Sequence, residues 1–406
     1  MSSRCLVTAV LLLASTQVLA SPKDEDLPDT IVQKGDKKTK CEVVKEGSKE
    51  LTYKDGLGKQ HTLGWDQIVR VDYKDLPVDL NAAELAIERR DYFKGESSAQ
   101  DAIGACGDGR LKELFLARAK IAKAKALRGQ SRYKDAADMA AQALDAAGEG
   151  RWAKGAHYEK VAALSAAQDD GCAAAGDAAE KYADTIKDVE YKAEISLLEG
   201  EFFRLKKDRS KAAEKYAAGK DSKRQELQDR AALGLARVKL DIDNDVAGAE
   251  QAFTALAKGT QDPDALAGAQ LGLGDTALKK AQRANPVSPD ELRSCLELYL
   301  RGTVLGQPVG GGASDNHEKT LKGAAEVCIL IANTITVPAK NAPNFEKASS
   351  GKKYFIDYAR KLYEELVKTY PSAQEAEQYR QKINDLRAKS VALSPPTPGA
   401  EGGSKN

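Results

Sequence analysis

The chain has 406 residues, 42% hydrophobic, 30% charged and 6% aromatic, which is the composition of a folded, water-soluble chain rich in helix formers. Its 62 Lys and Arg nearly cancel its 61 Asp and Glu, leaving a formal charge of +1. No overall field therefore draws it to nucleic acid or to an anionic bilayer.

Residues 1–20 carry Arg4, a short apolar run from Leu6 to Leu13, and small Ala20 before Ser21-Pro22. This is the pattern of a secretory signal peptide, and cleavage after Ala20 is predicted, because the run is too short to span about 30 Å of hydrocarbon. The mature chain is expected to be exported, to the periplasm or beyond, with residues 21–28 as a linker and no membrane span. Cleavage would leave Cys41, Cys106, Cys172, Cys295 and Cys328, an odd and scattered set that does not make a disulfide framework. Cys295 and Cys328 are placed on successive helices and could meet; the plainer expectation is small buried apolar residues.

Residues 29–76 form a region of their own. Turn signals (KGDKK, KEGSKE, KDGLGK) separate β-branched and aromatic stretches, predicting four or five short antiparallel strands with Trp65 as a core anchor. Alternation shows at Cys41-Val43, at Leu51-Tyr53 and from Ile68 to Tyr73. So small a sheet should close into a barrel-like roll or lean on other structure. Two roles stay open for it, a cap for an array of repeats or a small binding module.

From residue 77 to 390 the periodicity is helical. Its clearest stretch is Ile356 to Pro371, IDYARKLYEELVKTYP, which puts Ala359, Tyr363, Leu366 and Val367 on one helix face and stops at a proline. A small residue that lets a neighbouring helix approach recurs at Gly95, Ala136, Ala178, Ala212, Ala249, Cys295 and Ala359, each on a second helix. First helices are predicted before them, among them Leu111–Arg128, Glu190–Lys206 and Gln225–Leu240. An irregular insertion is expected at about 282–353, where NPVSP, GQPVGGGASD and TVPAKNAPNFEKASSGKK surround one apolar helix, Thr320–Ile335. Residues 391–406 have nothing to bury and should be a disordered tail.

These residues resemble the tetratricopeptide (TPR) repeat, a helical hairpin of about 34 residues that stacks into a superhelix. The interval from Ala178 to Ala212 equals that period, and the others are longer. Gly95 departs from the usual alanine, Ala99 and Ala140 from the usual aromatic, and only Pro371 keeps the closing proline. The resemblance implies a mostly α fold: an α-solenoid of degenerate hairpins, about seven of them, preceded by the small antiparallel β module. It also implies protein binding on an inner groove lined by first helices. Carried onto this chain, groove positions fall at Arg118, Ile121, Lys125 and Arg128 in one unit, and at Glu194, Leu197, Glu201 and Arg204 in another, basic giving way to mixed charge.

Motifs that could carry chemistry lack their partners. GQPVGGGASD has neither the lysine nor the strand of a phosphate loop. Asp241, Asp243 and Asp245 begin like a calcium loop, but Val246 stands where glycine is needed and Ala252 where the bidentate glutamate is needed. Ser131-x-x-Lys134 and Ser350-x-x-Lys353 lack the K-T-G element of penicillin-binding enzymes. His61, His157 and His317 lie far apart in sequence and signal neither a zinc site nor a nucleophile relay. The expected function is a non-enzymatic scaffold or adaptor in the cell envelope, without cofactor, catalytic or metal residues, binding a protein partner that the residues do not identify. The competing class is an accessory subunit or enzyme acting on cell-wall peptidoglycan.

Overall fold

A computed structural model describes residues 27–284, 286–305, 315–340, 342–371 and 375–393. Residues 1–20, the glycine-rich segment 306–314 and the tail from 394 lie outside it. The chain divides into two compact units, Met1–Asp75 and Leu76–Asn406.

The first unit has five strands, β1 (Asp29–Gln33), β2 (Lys38–Glu46), β3 (Glu50–Lys54), β4 (Gln60–Gly64) and β5 (Ile68–Asp72), in the order β4-β3-β2-β1-β5, antiparallel throughout. β2 pairs with β1 over its first half and with β3 over its second, and the register shifts between Val43 and Lys45, so one long strand serves two pieces of sheet. Alternation buries Ile31, Cys41, Val43 and Leu51 completely. The turn from β1 to β2 needs left-handed backbone at Gly35 and Asp36 (φ 81° and 60°), residue types that tolerate it. Trp65 corrects the expectation of a core anchor: it is half-buried in a 3₁₀ turn, and its Nε1 donates to the Gly47 carbonyl at 2.9 Å, tying down the β2–β3 turn.

The second unit is helical: α1 (Val78–Glu88), α2 (Tyr92–Ala105), α3 (Lys112–Gly129), α4 (Tyr133–Ala147), α5 (Ala153–Ala167), α6 (Gly171–Ile186), α7 (Val189–Leu205), α8 (Arg209–Lys220), α9 (Gln225–Asp241), α10 (Val246–Gly259), α11 (Pro263–Arg283), α12 (Pro289–Leu305), α13 (Asp315–Thr334), α14 (Phe345–Thr369) and α15 (Ala376–Ala392). Each helix packs on the next, and each odd-numbered helix from α1 to α11 also packs on the following odd one. The odd helices thus form one continuous layer, and the even helices cover it as the second members of hairpins. The fold class expected from the sequence is the one observed, a mostly α array of stacked hairpins with a small antiparallel sheet.

The hairpin turns share a local device. Arg90, Ser131, Gln168, Lys207 and Asn244, one in each of the first five hairpins, have φ between 53° and 62°. The residue after each turns back on the helix just ended, as Asp91 N does to the Ala86 carbonyl and Asp208 N to that of Phe203, satisfying carbonyls left over at the helix end. Asp91, Asp208 and Asp245 then cap the second helix by accepting from Lys94 N, Lys211 N and Gly248 N.

Six of the seven small residues read as helix-contact positions are buried; Ala178 is exposed, and Ala175, Gly176 and Ala179 take its place on α6. The aromatic that sets this register, Tyr182, is only half-buried at the edge of the core, donating to the Gly150 carbonyl at 3.1 Å and standing edge-on to Tyr191. The region 282–353 is also more regular than expected. α12 and α13 continue the stacking, and α14 starts at Phe345, because Glu346 to Lys353 are mostly helix-tolerant residues and Ser349 bonds the Leu393 carbonyl. α15 runs to Ala392, into the segment expected to be tail.

Candidate functional site: a cavity on the inner face

Polar and charged side chains on the odd helices cannot join the alanine-rich contacts between hairpins, so they turn to the open side of the layer. The C-terminal ends of α3, α5 and α7 bring Arg128, Ser165, Glu201 and Arg204 there, and the turn after α1 adds Arg90. Opposite them stand Glu318, Lys319 and Lys322 from the start of α13, with Tyr370, Glu375 and Tyr379 from the α14–α15 turn and α15. Together they enclose a cavity of about 550 Å³, within the range of ligand-binding clefts. It exists only because the first and last hairpins of the array come to one place.

Its charges are held by partners. Arg128 Nε lies 2.9 Å from the buried Glu159 carboxylate. Arg204 reaches both Glu201 and Asp241 at 2.5 Å, and Tyr216 donates to Glu201 at 2.8 Å. Burial would raise the Glu201 carboxyl, but Arg204 and Tyr216 outweigh it and hold the group below its ordinary range. Yet 43% of its side-chain surface remains accessible, which is surface facing the cavity. Across the cavity Lys322 Nζ is 2.7 Å from Glu375, which also accepts from Tyr379 at 2.7 Å. Burial opposes ionisation of Glu375 too, and Lys322 and Tyr379 again keep it low. Such a wall can recognise polar and charged groups of either sign.

Of the groove positions read from the sequence, Arg128, Glu201 and Arg204 lie together on this cavity. Arg118 instead makes two bonds to Glu84, at 2.7 and 2.6 Å, with its guanidinium 5.2 Å from the Trp152 ring centroid. Ile121 is buried with Ala143 and Ala156, and Leu197 is buried against Gly219. Glu194 pairs with Arg224, and Lys125 is exposed. Arg90, His317, Lys319, Tyr370, Glu375 and Tyr379 were not singled out as site residues. The signal for them is weak, since only Pro371 marks the turn that carries Tyr370 to the cavity.

The residues that resembled catalytic or metal motifs have structural partners. Asp241 binds Arg204, Asp243 binds Arg209 at 2.6 Å and Asp245 caps α10. Ser131 occupies a left-handed turn and accepts from the Tyr133 hydroxyl. Among the described residues no helix is long and apolar enough to cross a membrane.

No family model and no curated protein matches this sequence. Three solved structures are similar over most of their length. A tetratricopeptide repeat protein from Parabacteroides merdae is 10% identical, with 77% of this chain and 99% of that chain covered at a TM-score of 0.41. The apo form of RapI is 13% identical, covering 77% and 98% at 0.41. A computationally designed self-assembling cyclic homo-oligomer is 14% identical, covering 78% and 96% at 0.13. The hairpin architecture stands on the helix packing described above rather than on these likenesses.

Proposed function

We propose that this protein is a non-enzymatic interaction scaffold or adaptor that holds a charged, extended segment of a partner protein along its inner face. The observation that carries this reading is the cavity walled by successive first helices, wide enough for several side chains and lined by both signs of charge. The signal-like pattern of residues 1–20 supports an exported protein of the cell envelope.

Charge at the rim should steer association more than it sets final affinity. Lys319, on the cavity wall, and Lys125, outside the lining three residues before Arg128 on α3, are exposed, whereas Arg118 and Arg128 are committed to Glu84 and Glu159. The exposed lysines are therefore the residues to reverse. After capture of a partner from an envelope extract, Lys125→Glu with Lys319→Glu should change the association rate by at least about tenfold at low ionic strength, with helical content intact. An unchanged rate, or turnover of purified cell wall by the protein alone, would contradict the proposal.

A further inference from the structure

The two ends of the array meet at a small polar seam. Arg90, in the left-handed turn after α1, places its guanidinium 5.4 Å from the centroid of the Tyr370 ring, at the end of α14. Tyr370 in turn has its hydroxyl 2.5 Å from Nδ1 of His317, on the first turn of α13. His317 is only 5% exposed, and its own carbonyl accepts from Thr320. The apolar residues of α1 and α2 (Leu80, Ala83, Ala99, Ala102) form a cluster separate from the one that joins α11 to α15. Successive hairpins are therefore joined by buried apolar faces, whereas this seam joins the ends through a cation, a phenol and an imidazole.

We propose that Arg90, Tyr370 and His317 form a proton-sensitive latch between the ends of the array, closed while His317 is neutral and opened by its protonation. The consequence for access to the cavity rests on the partner-binding reading above; the motion itself does not.

The charged and titratable groups around His317 include Arg90 from the α1–α2 turn, Glu365 from α14 and Tyr370 just after it, with Glu318 next to it on α13. Burial, and next Arg90, push the imidazole below its ordinary value of 6.5, against a smaller opposite pull from Glu365. The closed form thus prefers neutral His317, while in the open form, hydrated and farther from Arg90, it titrates near 6.5. Above that pH the latch is unaffected. As pH falls below it, the closed-to-open ratio drops by up to about tenfold per unit until the closed form also takes up the proton.

Small-angle scattering of the whole protein, with circular dichroism in parallel, tests the latch without any partner. The wild-type radius of gyration should be constant from about pH 8 to 6.5 and rise towards pH 5 with helical content unchanged. His317→Gln, which can still bond Tyr370 but does not titrate, should show no rise over that interval. Glu365→Gln is an exposed substitution that removes the anion favouring imidazolium in the closed form, so the closed-to-open ratio should go on falling to lower pH and the expansion at pH 5 should be larger than in wild type, with the same onset. A flat wild-type curve, expansion that persists in His317→Gln, or expansion accompanied by loss of helix would overturn the proposal. If His317→Gln does not fold, Glu365→Gln decides, and absence of its larger expansion at pH 5 overturns the latch.

Discussion

Glu199, on α7, has almost no contact with solvent: its side chain is 1% exposed, with the backbone of α6 at Gly176 against it. Lys215 of α8 lies 2.7 Å from it and 3.0 Å from Glu180, which also accepts from Ser196. One ammonium thus serves two carboxylates. Burial, reinforced by Glu180, pushes Glu199 up to about 7 even against the pull of Lys215, while Glu180 goes below its ordinary value. A carboxyl raised in the folded state stabilises that state fully only below its unfolded pKa, and the contribution is lost as pH rises through the folded value. Relative to Glu199→Gln, the wild type should therefore lose stability between about pH 4.5 and pH 7, by about 3 kcal/mol at most. Urea melts at pH 5 and pH 8 check this; a difference between the two proteins that is independent of pH would contradict it.

At the scale of the helix, the array is held by rings set against glycines. The Tyr216 ring of α8 fills the space a side chain would take at Gly200 of α7 and at Gly234 of α9, and the Tyr299 ring of α12 does the same at Gly274 of α11 and Gly323 of α13. Glycine inside a helix costs about 1 kcal/mol against alanine, and that cost is accepted here because the ring needs the backbone itself as its wall. Gly234→Leu should destabilise the protein by at least about 1–3 kcal/mol, since leucine would have to displace a ring that is 3% exposed. A denaturation midpoint equal to wild type would show that α8 and α9 are not packed in this way. The same contacts explain what could be read in advance. A small residue followed four positions later by an aromatic is a local pattern, and Ala212-Tyr216, Ala249-Phe253, Cys295-Tyr299 and Ala359-Tyr363 are all buried pairs. Ala178-Tyr182 carries the same letters, but there the tyrosine bonds the Gly150 carbonyl at the flank, a choice made by the neighbouring hairpin. Trp65 likewise looked apolar enough for a core, yet its indole N–H finds a carbonyl at the surface of the sheet.

For the whole molecule, the decisive feature is one that no local pattern encodes. Hairpins could be read one at a time, and first helices such as α3, α7 and α9 fell within a residue of expectation. Whether the first hairpin meets the last depends on small rotations between neighbours summed along the array. Arg90 and Tyr370, far apart in the chain, become contacts only through that sum. For this reason Arg128, Glu201 and Arg204 were legible as inner-face residues, while the opposite wall was not. The account holds that partners engage this inner face, and site-specific photo-crosslinking in cells that make the protein tests it most directly. A photoreactive residue at Lys319, on the cavity, should capture a discrete partner protein, and one at exposed Ala217 on the outer helix α8 should not. Capture from Ala217 but not from Lys319 would contradict the account.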